Sequence, residues 1–201
     1  MKNLYSLSFI VVFAFTLSAC QSASDEAATA DVPVTQTSAT IDSPMMSPIT
    51  ANEVAAAQQA WGEGIVAIGA AFTAKEDYRA KAADHVRKFY YYEDGATVLF
   101  KPTLASEDQF RGDFDEALSY FVGTKGSEDN GFAIAPYTNV RWENEGTVIS
   151  GDGAMAMAMG NYFFTGTDGN ETKVEYSFGY TRDASGMLKI TLHHSSLPFS
   201  P

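Results

Sequence analysis

The sequence predicts an α+β fold, N-terminal helices packed on a curved antiparallel sheet, and three observations carry that prediction. Apolar residues recur at helical spacing from Val54 to Phe121. Past Gly123 the spacing changes to period two, in runs separated by turn signals such as Asp168-Gly169 and Ser185-Gly186. Helices first and strands afterwards is the order of an α+β domain, not of alternating βαβ units.

The chain has 201 residues, and its first fifty stand apart from the rest. Residues 1–19 read as a lipoprotein signal peptide: Lys2, then the apolar "LYSLSFIVVFAFTL", then the small residues of "LSAC". The apolar stretch is short for a membrane-spanning helix. Leu17-Ser18-Ala19-Cys20 resembles the bacterial lipobox, which implies lipidation of Cys20. Gln21 in place of Asp implies an outer-membrane lipoprotein facing the periplasm of a Gram-negative cell. Residues 20–50 are rich in Ser, Ala, Thr, Asp and Pro and lack aromatics, so the segment is expected to be a disordered tether. The domain is expected at 51–201. Cys20 is the single cysteine, which excludes a disulfide framework and a thiol nucleophile in the domain. A net charge of −12, from 13 basic and 25 acidic residues without a basic stripe, argues against nucleic acid.

The elements follow in order. "NEVAAAQQAWGEGIVAIGAAF" places Val54, Trp61, Ile65, Ile68 and Phe72 near one helical face, with Thr50 or Asn52 as the cap. Gly62 and Gly64 mark close packing or a bend. A second helix is expected from about Lys75 to Tyr91, carrying Tyr78, Ala82, His85 and Phe89 at helical spacing. Asp94-Gly95 turns the chain into "ATVLFKP", a strand stopped by Pro102. "SEDQFRGDFDEALSYFVG" is expected to be a third helix capped by Ser106. "TNVRWEN", "GAMAMAMGNYFFTG", "TKVEYSFGYTR" and "GMLKITLHHSS" supply the strands.

Candidate chemistry centres on "TLHHSSLPF". Strict alternation puts Leu188, Ile190, Leu192, His194 and Ser196 on one face, with Lys189, Thr191, His193 and Ser195 on the other. The apolar set defines the core side, so His194 and Ser196 are expected to line the open end of the sheet. Satisfying strand-end backbone groups is the alternative role for the pair. Neighbouring histidines that point oppositely cannot share one ion, and with three histidines and no domain cysteine the sequence offers no metal-ligand spacing. A serine hydrolase is disfavoured because no G-x-S-x-G surrounds Ser195 or Ser196. Thr103 follows Pro102, whose ring fixes the backbone and aims the threonine; a helix-entry role near Ser106 is the alternative. Tyr120 ends the third helix beside Phe121, where a boundary tyrosine would equally sit. Met155, Met157 and Met159 share a strand face, which points to core or dimer packing rather than copper. Tyr90-Tyr91-Tyr92 reads as a helix end wrapping core and surface.

Taken together, "AWGEGIVAIG", "VLFKPT", "ALSYFVG", "GFAIAPYTNVRWEN", "AMGNYFFT", "VEYSFGY" and "LHHSSLP" resemble the iota class of carbonic anhydrases, from about Ala51 to Pro198. The resemblance implies a cystatin-like, NTF2-like (SnoaL-like) cone, related to the calcium/calmodulin-dependent kinase II association domain. It implies reversible hydration of CO₂ to bicarbonate without a metal cofactor, with zinc or manganese as the minority alternative. The pocket of that family is lined by a threonine, a tyrosine, a histidine and a serine. These fall on Thr103, on Tyr120, and within His193 to Ser196. Alternation then selects His194 and Ser196, with His193 and Ser195 turned to the outer face or a partner subunit. The expected partners are CO₂ or bicarbonate, a membrane through the lipid anchor only, and a second copy in a homodimer. A non-catalytic NTF2-like binding or oligomerisation module is the alternative of a different class, and a SnoaL-like isomerase or hydrolase ranks behind both.

Overall fold

The computed structural model describes residues 46–93 and 95–201. The signal peptide, Cys20, the tether as far as residue 45 and Asp94 lie outside the described residues. No helix among the described residues is long and apolar enough to cross a membrane.

Thr50 begins the fold as a capping box: its hydroxyl accepts from the N–H of Glu53, while the Glu53 carboxylate takes the N–H of Thr50 at 2.9 Å. Helix α1 (Ala51–Ala74) then buries Val54, Gln58, Trp61, Ile65 and Ile68 along one stripe. Phe72 lies past the core and is 42% exposed. Gly62 and Gly64 mark close packing, not a bend. A Cβ on Gly62 would lie 2.9 Å from Val140 Cβ, and one on Gly64 only 2.2 Å from His85 Nδ1.

Helix α2 (Tyr78–Phe89) starts later than the apolar spacing suggests. Lys75 takes a left-handed φ of 58° to end α1, and Asp77 becomes the new cap. Strand β1 is short, Leu99–Lys101. The helix expected from Ser106 begins only at Phe114, giving α3 (Phe114–Val122) with Asp113 and Glu116 as its capping box. The reason lies in Glu128, whose carboxylate accepts from the N–H groups of Ser106, Glu107 and Asp108 and holds that stretch as a loop. A single 3₁₀ turn, Phe132–Ile134, precedes the meander.

The meander is β2 (Asn139–Ile149), β3 (Met155–Thr165), β4 (Glu171–Arg182) and β5 (Leu188–Ser196). With β1 it forms one sheet in the order β1-β5-β4-β3-β2, antiparallel except for the parallel β1–β5 pair. Trp61 sits where helix and sheet meet, its ring 5.8 Å from both Trp142 and His193 and 6.0 Å from Tyr162. Truncating so central a ring to alanine costs roughly 3–5 kcal/mol.

The expected facing of β5 is corrected, and of the two placements open to the β3 methionines the core one is ruled out. The register of β4 against β5 shifts between Gly179↔Leu192 and Tyr180↔Ile190, which leaves Thr191 without a partner. This β-bulge inverts the alternation beyond it. Ile190, His193 and Ser195 pair with the buried Tyr180, Phe178 and Tyr176, and all six side chains face the core. His194 and Ser196 face outward, where the Ser196 hydroxyl donates to Glu175 at 3.2 Å. The methionines of β3 likewise lie outside the core. Met155, Met157 and Met159 are each more than half exposed, whereas Ala156 and Ala158 face inward.

Candidate active site

Four elements converge on one small cavity under the C-terminal end of β5. The parallel register sets Phe100 against His193 and Lys101 against His194, so the chain leaving β1 runs beside "HHSS". Pro102 ends that strand, and Thr103 turns back so that its hydroxyl lies 2.9 Å from the Ser195 hydroxyl. Tyr120 comes from the last turns of α3, buried, with its phenol oxygen accepting from the N–H of Leu104 at 3.4 Å. His193 and Ser195 arrive from β5, and Tyr162 from β3.

The cavity measures about 80 Å³ and is bounded on its polar side by Thr103, Tyr120, Tyr162, His193 and Ser195. Phe132 and Phe164 are among its apolar walls. An engineered apolar cavity of ~150 Å³ admits benzene, so this one suits an occupant of a few heavy atoms.

His193 is enclosed by rings. Its imidazole stacks on Phe100 with centroids 4.6 Å apart and meets Phe178 at 4.1 Å. Its Nδ1 lies 2.8 Å from the Tyr90 hydroxyl, and its Nε2 lies 3.5 Å from the Tyr162 hydroxyl. Burial holds the imidazole pKa well below its usual value, and the neighbouring His194 adds to the effect. The ring is therefore neutral at physiological pH. Burial moves the Tyr120 and Tyr162 phenols the other way, well up, so both stay protonated and remain hydrogen-bond donors. The pocket thus presents neutral hydroxyls and a neutral imidazole to its contents.

Of the residues expected from the sequence, the structure brings together Thr103, Tyr120, His193 and Ser195. It places His194 and Ser196 on the opposite side of the sheet. His85 packs against Phe89 at 4.7 Å on α2 and does not join His193. Among the described residues no three His, Cys, Asp or Glu side chains gather as a metal site. Sequence reasoning missed Tyr162 and Tyr90. Alternation did signal Tyr162, since an inward Ala156 and Ala158 put Tyr162 and Phe164 on the same face. Nothing local marks Tyr90, the fully buried member of the tyrosine triplet.

Comparison with known proteins places the chain in a family. Residues 52–197 match the family model described as metal-independent carbonic anhydrase. The chain is 43% identical over 155 residues to a metal-independent carbonic anhydrase from Nostoc sp. (strain PCC 7120), covering 75% of each protein. It superposes on the crystal structure of a cyanobacterial iota-carbonic anhydrase complexed with bicarbonate with a TM-score of 0.72 and 39% identity, covering 77% of this chain and 95% of that one. A Xanthomonas campestris protein described as a calcium/calmodulin-dependent protein kinase II association domain gives a TM-score of 0.50 at 22% identity, over 76% of this chain and 91% of its own, and shares the fold. With the model matched across nearly all of the described fold, the chain belongs to the metal-independent carbonic anhydrase family.

Proposed function

We propose that this carbonic anhydrase interconverts CO₂ and bicarbonate inside the 80 Å³ cavity, using Thr103, Tyr120, His193 and Ser195 and no metal. The observation that carries the proposal is the convergence of those four side chains, from β5, α3 and the turn after β1, on a space sized for a molecule of a few atoms.

The apolar rings of Phe132 and Phe164 offer CO₂ a dry wall. Neutral donors on the other side stabilise charge as it develops: the Tyr120 phenol and the ring of His193. In hydration, the oxygen of water bonds to the CO₂ carbon as one C=O π bond opens, and the displaced electron pair becomes the bicarbonate oxyanion facing these donors. The proton leaves the attacking water along Ser195 and Thr103. Each hydroxyl accepts one proton as it gives up another: the Thr103 hydroxyl, which donates to Ser195 at rest, turns to accept from it, and half-buried Thr103 releases its own proton to water at the rim. Among the described residues no carboxylate lines the pocket to compete with the anion.

The cyanobacterial relative binds bicarbonate, which supports bicarbonate as the ligand of this cavity. The alternative of a non-catalytic assembly module rests on fold alone, and fold does not carry function. Stopped-flow or isotope-exchange hydration on metal-stripped protein tests the reading. Activity well above background, unchanged by added zinc or manganese, is the expected result. Background rates with and without metal would refute it.

Two further features belong to the proposal. The outer sheet face, with Met155, Met157 and Met159 exposed, supports a homodimer joined through that face. The signal and Cys20 support a lipid anchor that holds the enzyme at the cell envelope, on the periplasmic side of the outer membrane.

A further inference from the structure

A run of polar atoms lies behind the cavity, in a region otherwise filled by rings. The Trp61 Nε1–H donates to the Tyr90 hydroxyl at 3.1 Å, and that hydroxyl lies 2.8 Å from His193 Nδ1. All three side chains are buried, Tyr90 fully so. Tyr90 comes from the first residue past α2 and Trp61 from the middle of α1, so neither element carries pocket residues.

The direction of these bonds follows from valence. An indole N–H can only donate, so the Tyr90 oxygen is the acceptor for Trp61. Tyr90 has one proton of its own, and among the described residues its hydroxyl has no other partner than Trp61 and His193. A buried hydroxyl proton without a partner costs about 1–3 kcal/mol. The Tyr90 proton therefore points at Nδ1, which must be the unprotonated nitrogen of a neutral ring. The ring proton is then on Nε2, the atom that reaches towards Tyr162 and the cavity.

We infer that Tyr90, itself oriented by Trp61, is a positioning residue that locks His193 in its Nε2–H form, so that the pocket meets an imidazole donor and not an imidazole base. The inference rests on the reading of the cavity as the carbonic anhydrase site. It assigns His193 the part of stabilising the forming bicarbonate oxyanion. The departing proton has no route through Tyr90, because the run ends at an indole that cannot accept one. Transfer is confined to the hydroxyls on the pocket side, Ser195 and Thr103.

Long-range ¹H–¹⁵N spectra of the histidine rings, at pH 7, decide the matter in the unaltered protein, with His85→Phe and His194→Gln used together to assign His193. The expected spectrum has a pyridine-like Nδ1 and a pyrrole-like Nε2. A protonated Nδ1, whether in the other tautomer or in an imidazolium, would overturn the inference. Tyr90→Phe then removes one oxygen and leaves the ring in place. Its expected result is a mixed His193 tautomer and a kcat lower by roughly tenfold to a hundredfold, as on losing an oriented partner behind a reacting group. A single Nε2–H tautomer with full kcat in Tyr90→Phe would equally overturn it. If that variant does not fold, the wild-type spectrum still distinguishes the two tautomers. CO₂ hydration is measured on the same wild-type sample. The expected tautomer without hydration sinks the reading of the cavity, whereas hydration with the other tautomer sinks only the role of Tyr90.

Discussion

Thr103 and Ser195 stand 92 residues apart in the chain, and their hydroxyl oxygens lie 2.9 Å from each other. Three devices bring them there: the parallel β1–β5 pairing, the turn at Pro102, and the bulge at Thr191. Without the bulge, Ser195 would face away from Thr103 and Ser196 would take its place.

The first prediction separates the two faces. Ser195→Ala and Thr103→Val each remove one hydroxyl from the pocket, and each is expected to lower kcat/KM by about 10²-fold, the low end of what positioned proton transfer contributes. His194→Ala and Ser196→Ala alter the outer face and should leave kcat/KM within about threefold of wild type, since surface changes rarely disturb a fold. Stopped-flow rates on the four variants check it. Equal losses in both pairs would mean that β5 is in the other register.

Much of this fold is legible in the sequence, and the failures have specific causes. The α1 stripe and the four meander strands follow from hydrophobic spacing, because each buries a single face. The facing of "HHSS" is not legible. The bulge at Thr191 is set by where β4 pairs, a non-local choice that local alternation cannot see. The sequence singles out Thr103 and Tyr120, which do border the cavity, but the facing expected within His193–Ser196 is inverted by the bulge. The start of α3 is lost for a similar reason, since Glu128 caps the Ser106 loop from twenty residues away. Tyr90 stays hidden because its partners, Trp61 and His193, come from distant parts of the chain.

Stability should fall in mild acid. Burial lowers His85 to about 3 and His193 well below the ordinary imidazole value. Both groups therefore stay neutral in the folded chain at pH values where the unfolded chain protonates them. The unfolded state binds more protons, so stability is fully present above about pH 6.5 and is lost as the pH falls below it. Each histidine contributes a slope of about 1.4 kcal/mol per pH unit in that window. Denaturant titrations between pH 7 and pH 5 check this, and His85→Phe should remove roughly half of the slope. A flat profile across that range would contradict the burial of both rings.

The same burial predicts a missing inflection in the rate. A His193 held neutral does not titrate between pH 6 and 8, and the Tyr120 phenol stays protonated throughout. kcat/KM for hydration should therefore show no imidazole step near pH 6.5. A step there that disappears in a His193→Gln variant would show that His193 does act as a base.

Gly64 offers a test of how tightly α1 meets α2. A Cβ at this position would come within 2.2 Å of His85 Nδ1 and 2.6 Å of Cε1, a clash with a ring that is itself wedged against Phe89 and Phe121. Alanine would ordinarily favour a helix interior by about 1 kcal/mol over glycine. Here the overlap should reverse the sign, so that Gly64→Ala destabilises by roughly 1–3 kcal/mol, the usual cost of overpacking. The double variant Gly64→Ala/His85→Ala supplies the control. Shortening the histidine removes the atoms that clash, so the double variant should be more stable than the sum of the two single losses. Thermal unfolding of the four proteins in this cycle measures that coupling. Strict additivity would mean that His85 moves aside freely and that Gly64 is not required by its contact with α2.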